Sequence, residues 1–125
     1  SIRNINWCTS YCKIIMANIY KNSKLSLTNT NVTTLYTVPT GNTSIIKSII
    51  VNERTNAAST LSLILYDGDP ASGNPFNLYT TKAITALQTL ELLDKPLVMK
   101  SGEVLQVTAG HANKLMVTAS LLEIS

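Results

Sequence analysis

Short apolar stretches recur along this chain, each closed by a cluster of Gly, Pro, Asn, Asp or Ser. That punctuation constrains the fold more than any other feature. Pro39-Thr40-Gly41-Asn42 is strong turn chemistry, Asp67–Pro75 is a loop built of Asp, Gly, Pro, Ser and Asn, and Ser101-Gly102 and Gly110–Asn113 turn the chain again. Between the turns the residues alternate with the two-residue period of a strand. Leu61, Leu63 and Leu65 oppose Ser62, Ile64 and Tyr66, and Leu115, Val117, Ala119 and Leu121 oppose Met116, Thr118 and Ser120. Tyr20–Leu27 alternates weakly, Val32–Val38 follows a polar bend, and Asn77–Ala83, Leu97–Lys100 and Val104–Ala109 complete the set. The apolar run Ile45–Val51, broken by Lys47 and Ser48, reads as a central strand buried on much of both faces. Ala83–Leu93 is ambiguous: its Ala and Leu suit a short helix, whereas Thr85 and Thr89 suit a strand around Leu90–Leu92. About eight strands at a spacing of roughly 8–12 residues, with no βαβ rhythm, predict a single all-β domain. It is an antiparallel β-sandwich of jelly-roll or immunoglobulin-like type.

Composition narrows the function. The 125 residues are 45% hydrophobic and 14% charged, which disfavours disorder and leaves Ser, Thr and Asn to form the surface. So few charges suit a domain packed against neighbours. Arg3 and Lys13 supply two of the ten basic residues, and residues 1–15 hold no acid. The remainder therefore balances eight basic against seven acidic residues. Lys47, Arg54, Lys82, Lys95, Lys100 and Lys114 are scattered singly, so the footprint of a nucleic-acid-binding face is missing. No apolar run approaches the roughly 18 residues of a membrane span, and the first twenty residues show no continuous apolar signal core. Trp7, Cys8 and Cys12 all lie in residues 1–15, which have no clear period. We expect these residues to be a leader outside the core, with Met16 as a candidate start and residues 16–125 as the sandwich.

Few residues offer chemistry. His111 is the single histidine and sits in a turn where polar residues are ordinary. Ser and Thr candidates are merely abundant and one histidine cannot anchor a metal, so neither a Ser-His-Asp site nor a zinc site is expected. Asp67 and Asp69, with Ser72 and Asn74, present hard oxygen ligands in one loop. They are weak calcium candidates, because tight turns use the same residues and the alternating ligand spacing of an EF-hand is absent. Tyr66 and Phe76 flank that loop and with Tyr79 could form a platform for a glycan or a protein partner. The competing reading packs these rings, like Tyr36, into the sandwich. No cofactor is expected.

The stretch TLYTVPTGNTSIIKSIIVN, Thr34 to Asn52, resembles the opening of small β-sandwich proteins encoded among phage structural genes. The likeness lies in the Leu35–Pro39 step, the Gly41 turn, the isoleucine-rich strand and the closing Asn52. LVMKSGEVLQVTAG, from Leu97 to Gly110, is similar to their penultimate hairpin, and LMVTASLLEIS, from Leu115, to their closing strand. The resemblance spans residues 32–125 and brings no catalytic residues with it. It implies a virion component that binds capsid or tail proteins as a decoration or accessory domain and forms a homo-oligomer, with a trimer favoured. Neither nucleic acid nor a membrane is implied as a partner. A carbohydrate-binding module of a phage tail is the alternative.

Overall fold

A computed structural model of the chain describes residues 18–125. The expected leader, its Trp7, Cys8 and Cys12, and the candidate start at Met16 lie outside the described residues. The described chain forms nine strands. They are β1 (Asn18–Leu27), β2 (Thr33–Thr37), β3 (Thr43–Glu53), β4 (Ser59–Tyr66), β5 (Pro75–Ile84), β6 (Thr89–Glu91), β7 (Leu97–Met99), β8 (Val104–Ala109) and β9 (Leu115–Ile124). One antiparallel sheet runs β1-β9-β3, with β6 and β7 both on the far flank of β3; the other runs β2-β8-β4-β5. The chain changes sheet at every connection except the β4–β5 hairpin and the β6–β7 step. An immunoglobulin sandwich keeps several consecutive strands side by side in one sheet. This wrapping, with the first and last strands adjacent, is the jelly-roll alternative.

The ambiguous segment resolves into a turn and a strand. Ile84 is fully buried at the end of β5, and Thr85 and Gln88 close the turn through Thr85 N to Gln88 Oε1 at 2.9 Å and Gln88 N to Thr85 O at 3.1 Å. Thr89–Glu91 then pairs with Asn52–Ile50 of β3, which a helix could not do.

The inner faces meet in one core that includes Leu35, Ile46, Ile49, Val51, Leu61, Leu63, Leu105, Val107, Leu115, Val117 and Leu121. Each such side chain contributes roughly 1.5–3 kcal/mol by leaving water. The inward set of β9 is the one its alternation predicts: Leu115, Val117 and Ala119 are fully buried and Leu121 nearly so.

β3 is central, as expected, but it is not buried on both faces. Ile46, Ile49 and Val51 are fully buried, whereas Ile45 is half-buried and Ile50 is 39% exposed on the outer face. The cause is a bulge: Ile46 pairs with Leu121 and Ser48 with Ser120, so Lys47 is an extra residue without a partner in β9. The alternation changes phase there. Ser44 and Ile46 point inward before Lys47, and Ile49, Val51 and Glu53 after it. The paired isoleucines therefore mark a phase change, not two-sided burial.

The bulge faces the gap between β6 and β7, and the Glu91 side chain fills the place of the missing strand. Its carboxylate accepts hydrogen bonds from Ser48 Oγ and from Ile49 N, the latter at 2.9 Å, and also from Leu93 N at 3.1 Å. Burial alone would raise the Glu91 carboxyl, but these donors hold it below the usual carboxylate range.

The phase change makes a sharp prediction. Ile49→Ala should cost about 2–5 kcal/mol in denaturant unfolding, and Ile50→Ala no more than about 1 kcal/mol. Equal costs at the two positions would contradict the bulge.

Candidate interaction surface

Two carboxylates point into the sandwich, and both serve as structural ties. Glu123 of β9 is 4% exposed and meets Lys21 Nζ of β1 at 2.9 Å and the Tyr36 hydroxyl of β2, which donates to its other oxygen. Tyr36 Oη also lies 2.8 Å from Ser44 Oγ of β3. The cluster thus joins the two sheets at the end where β2 passes into β3. A second bulge, at Leu35 in β2, lets Leu35 pack into the core while Tyr36 reaches across. Burial and the Glu123 carboxylate push the Tyr36 hydroxyl up to about 12. Burial would raise Glu123 itself, but Tyr36 and Lys21 hold it below the usual range. At the opposite end Glu53 is fully buried and accepts from Thr55 Oγ1 at 2.7 Å and from Leu87 N at 3.1 Å, tying the β3–β4 loop to the β5–β6 turn. Burial would raise this carboxyl too, but those two donors and the backbone N–H groups of Thr55 and Ala57 lower it.

The outer face of the five-stranded sheet carries the most distinctive surface. Register places Tyr20 beside Leu122, Leu122 beside Ile45, and Ile45 beside Val98, so one apolar row crosses β1, β9, β3 and β7. Leu122 is only 9% exposed yet stands outside the inner core, while Tyr20 is 74% and Val98 58% exposed. Next to this row is a shallow pocket lined by Tyr20, Lys21, Asn22, Lys47, Ser120 and Leu121. The bulge aims Lys47 here, with its Nζ 5.9 Å from the centroid of the Tyr20 ring.

The residues singled out in the sequence lie elsewhere. Asp67 Oδ1 accepts from Asn74 N at 2.6 Å and Oδ2 from Asn74 Nδ2 at 3.1 Å, while Asp69 Oδ1 accepts from Ala71 N at 2.9 Å. The Asn74 backbone and side chain hold the Asp67 carboxyl below its ordinary range. Among the described residues no three His, Cys, Asp or Glu side chains gather as a metal would need. Of the three aromatics, Tyr79 packs against the core and donates its hydroxyl to Leu92 O at 2.7 Å. Tyr66 is half-buried on β4, and Phe76 is 53% exposed on the edge strand β5. Tyr79 thus turns inward while Phe76 faces solvent. His111 Nδ1 lies 3.2 Å from Ser59 Oγ, but Ser59 is 3% exposed, so that hydroxyl is closed to a substrate.

Sequence reasoning did not single out Tyr20, Leu122 or Val98 and read Lys47 as a mere interruption. The signal was there in SIIKSIIV, where the phase of the apolar residues changes across a lysine.

No family profile matches the chain, and no curated protein matches it. Solved structures do. A chain from the viral particle of infectious bursal disease virus superposes with a TM-score of 0.53 at 11% identity, over 85% of this chain. A chain from the Gx strain of the same virus gives 0.51 at 10% identity over 86% of this chain. This chain spans 30% of the length of each. A pentameric capsid protein from metagenomic phage sequences gives 0.40 at 16% identity, covering 83% of this chain and 59% of that one. At these identities the likeness is one of fold: the chains share a β-sandwich.

The three hydrogen-bonded glutamates and Tyr36 set how stability responds to pH. Glu53, Glu91 and Glu123 have lowered folded-state values, so their contribution is complete above the unfolded value of 4.5 and is lost as the pH falls below it. Tyr36 acts in the opposite sense: its contribution is complete below 10 and is lost as the pH rises toward 12. Tyr36→Phe should therefore lower stability at neutral pH by about 1–2 kcal/mol and flatten the alkaline limb of the stability profile. An unchanged melting temperature would show that the hydroxyl is not the tie between the sheets.

Proposed function

We propose that this chain is a non-enzymatic structural protein of a phage virion, binding capsid or tail proteins as a decoration or accessory domain and associating with copies of itself. The observation that carries this reading is the apolar row Tyr20–Leu122–Ile45–Val98 on the outer face of the sheet. A sandwich needs only its inner faces to fold, so an ordered apolar row on the outside, with Tyr20 at 74% exposure, is surface available for association. The jelly-roll wrapping and the fold likeness to chains of a viral particle support the same reading. The 14% charge content supports it too, since a weakly charged surface gives a free monomer little repulsion against association. The virion location, the phage origin and the favoured trimer rest on the sequence resemblance.

The carbohydrate-binding alternative has one observation in its favour. Phe76 is 53% exposed beside the loop that Tyr66 enters, and aromatic rings in that setting can stack on sugars.

Light scattering at micromolar concentration, run beside glycan-array and hydrolase screens, separates the readings. A homo-oligomer, with a trimer favoured, is expected. A strict monomer that binds a defined glycan, with the binding lost on substitution of Tyr66, Phe76 or Tyr79, would replace the structural reading with the lectin-like one.

A further inference from the structure

Lys47 and the acidic β4–β5 loop both stand outside any ion pair among the described residues, although Lys47 lies over the Tyr20 ring and the loop carboxylates accept hydrogen bonds from their own loop. On the outer face of the five-stranded sheet, the pocket beside the apolar row is lined by Lys21 and Lys47. Lys21 is already paired with Glu123, whereas Lys47 has no carboxylate within ion-pair distance among the described residues. The β4–β5 loop carries the complementary charge. Asp67 and Asp69 are both exposed, and neither pairs with a cation among the described residues. The loop is rigidly set. Asp67 N donates to Asn74 O at 3.1 Å and Ser72 N to Asp69 O at 2.9 Å, and a Cβ on Gly73 would sit 3.0 Å from three atoms of the loop.

The topology fixes where these features lie. Asn18 and Thr43 pair with Ile124 in one sheet; Thr37 and Tyr66 pair with Val104 in the other. The β2–β3 and β7–β8 connections join those strand ends, so the Tyr20–Lys47 pocket and the Asp67–Asn74 loop stand at the same end of the sandwich. They are on different flanks, because the pocket spans β1, β9 and β3 of one sheet while the loop leaves the β4–β5 edge of the other. One molecule cannot bring its own loop to its own pocket. A neighbour set beside it at the same height can.

We propose that the outer sheet face around Lys47 and Tyr20 is the docking site for the Asp67–Asn74 loop of a second copy of this chain. Asp69 and Asp67 approach Lys47, and the apolar row packs against the neighbour beside the loop. The contact is heterologous, since two different patches meet. Repeating such a contact builds a ring where its rotation closes and a filament where it does not. This inference rests on the self-association proposed above and names its surface.

Charge reversal tests it. Wild type, Lys47→Glu, Asp69→Lys and the double variant Lys47→Glu/Asp69→Lys are compared by light scattering over a concentration series, with thermal melts confirming that each variant is folded. Like charges facing each other should raise the concentration needed for assembly by more than about tenfold in each single variant. The double variant should assemble like wild type, because every pocket then carries the glutamate and meets a loop carrying the lysine, whatever the number of copies. Single variants that assemble as well as wild type, or a double variant that fails to restore assembly, would overturn this interface while leaving self-association standing. A wild type that is monomeric throughout would instead remove the self-association on which the interface rests.

Discussion

One extra residue in the central strand organises both sides of the five-stranded sheet. Without a bulge, strict alternation through β3 would carry Ser44 and Ile46 inward and then send Ile49, Val51 and Glu53 outward. The bulge at Lys47 moves the second half of the strand by one residue, so the whole length of β3 contributes to the core against β4 and β8. On its other side β3 has no strand partner between β6 and β7, and there the Glu91 carboxylate accepts from Ser48 Oγ and Ile49 N. The second product of the bulge is external, since the residue that the core does not use is the lysine that lines the outer pocket.

The inward carboxylates follow a common logic. An unpaired charge in the interior is costly, and each is compensated by donors from segments that would otherwise be loosely connected. Glu123 draws in Tyr36 from the other sheet and Lys21 from the edge strand, and Glu53 gathers two loops at the far end. The sandwich is thus fastened by a polar tie at each end and by apolar packing between them. A frame fixed in this way can present loops and outer faces to a neighbour without first having to order them, which lowers the cost of association.

Much of this was legible in the sequence, for identifiable reasons. Turn residues located the strand boundaries, because Pro39, Gly41, Gly102 and the Asp67–Pro75 loop impose backbone geometry that strands do not tolerate. Alternation in β9 gave its inner face from Leu115 to Leu121, since no bulge interrupts that strand. What escaped was everything that depends on a change of register. The isoleucine pairs of β3 looked like two-sided burial because a bulge and a doubly buried strand produce the same local pattern. Which side chains share the row Tyr20–Leu122–Ile45–Val98 is decided by pairings between residues as far apart as Tyr20 and Leu122, which no local pattern encodes. The polar ties were invisible for the same reason: Tyr36 and Glu123 are neighbours only after the sheets close. The acidic loop, by contrast, was recognised as a turn, and its carboxylates do serve the backbone of that turn.

The most direct test of this account is deletion of Lys47. Removing a residue from the middle of a buried strand ordinarily inverts its faces and unfolds the domain. Here the deletion would leave Ser44, Ile46, Ile49, Val51 and Glu53 in unbroken alternation, all still pointing inward. The account therefore expects the deleted chain to unfold cooperatively, with a stability loss of about 1–3 kcal/mol from the hydrogen bonds that Glu91 gives up. It also expects that chain to assemble far more weakly than the parent. A deleted chain that does not fold, or one that folds and assembles as the parent does, would contradict it.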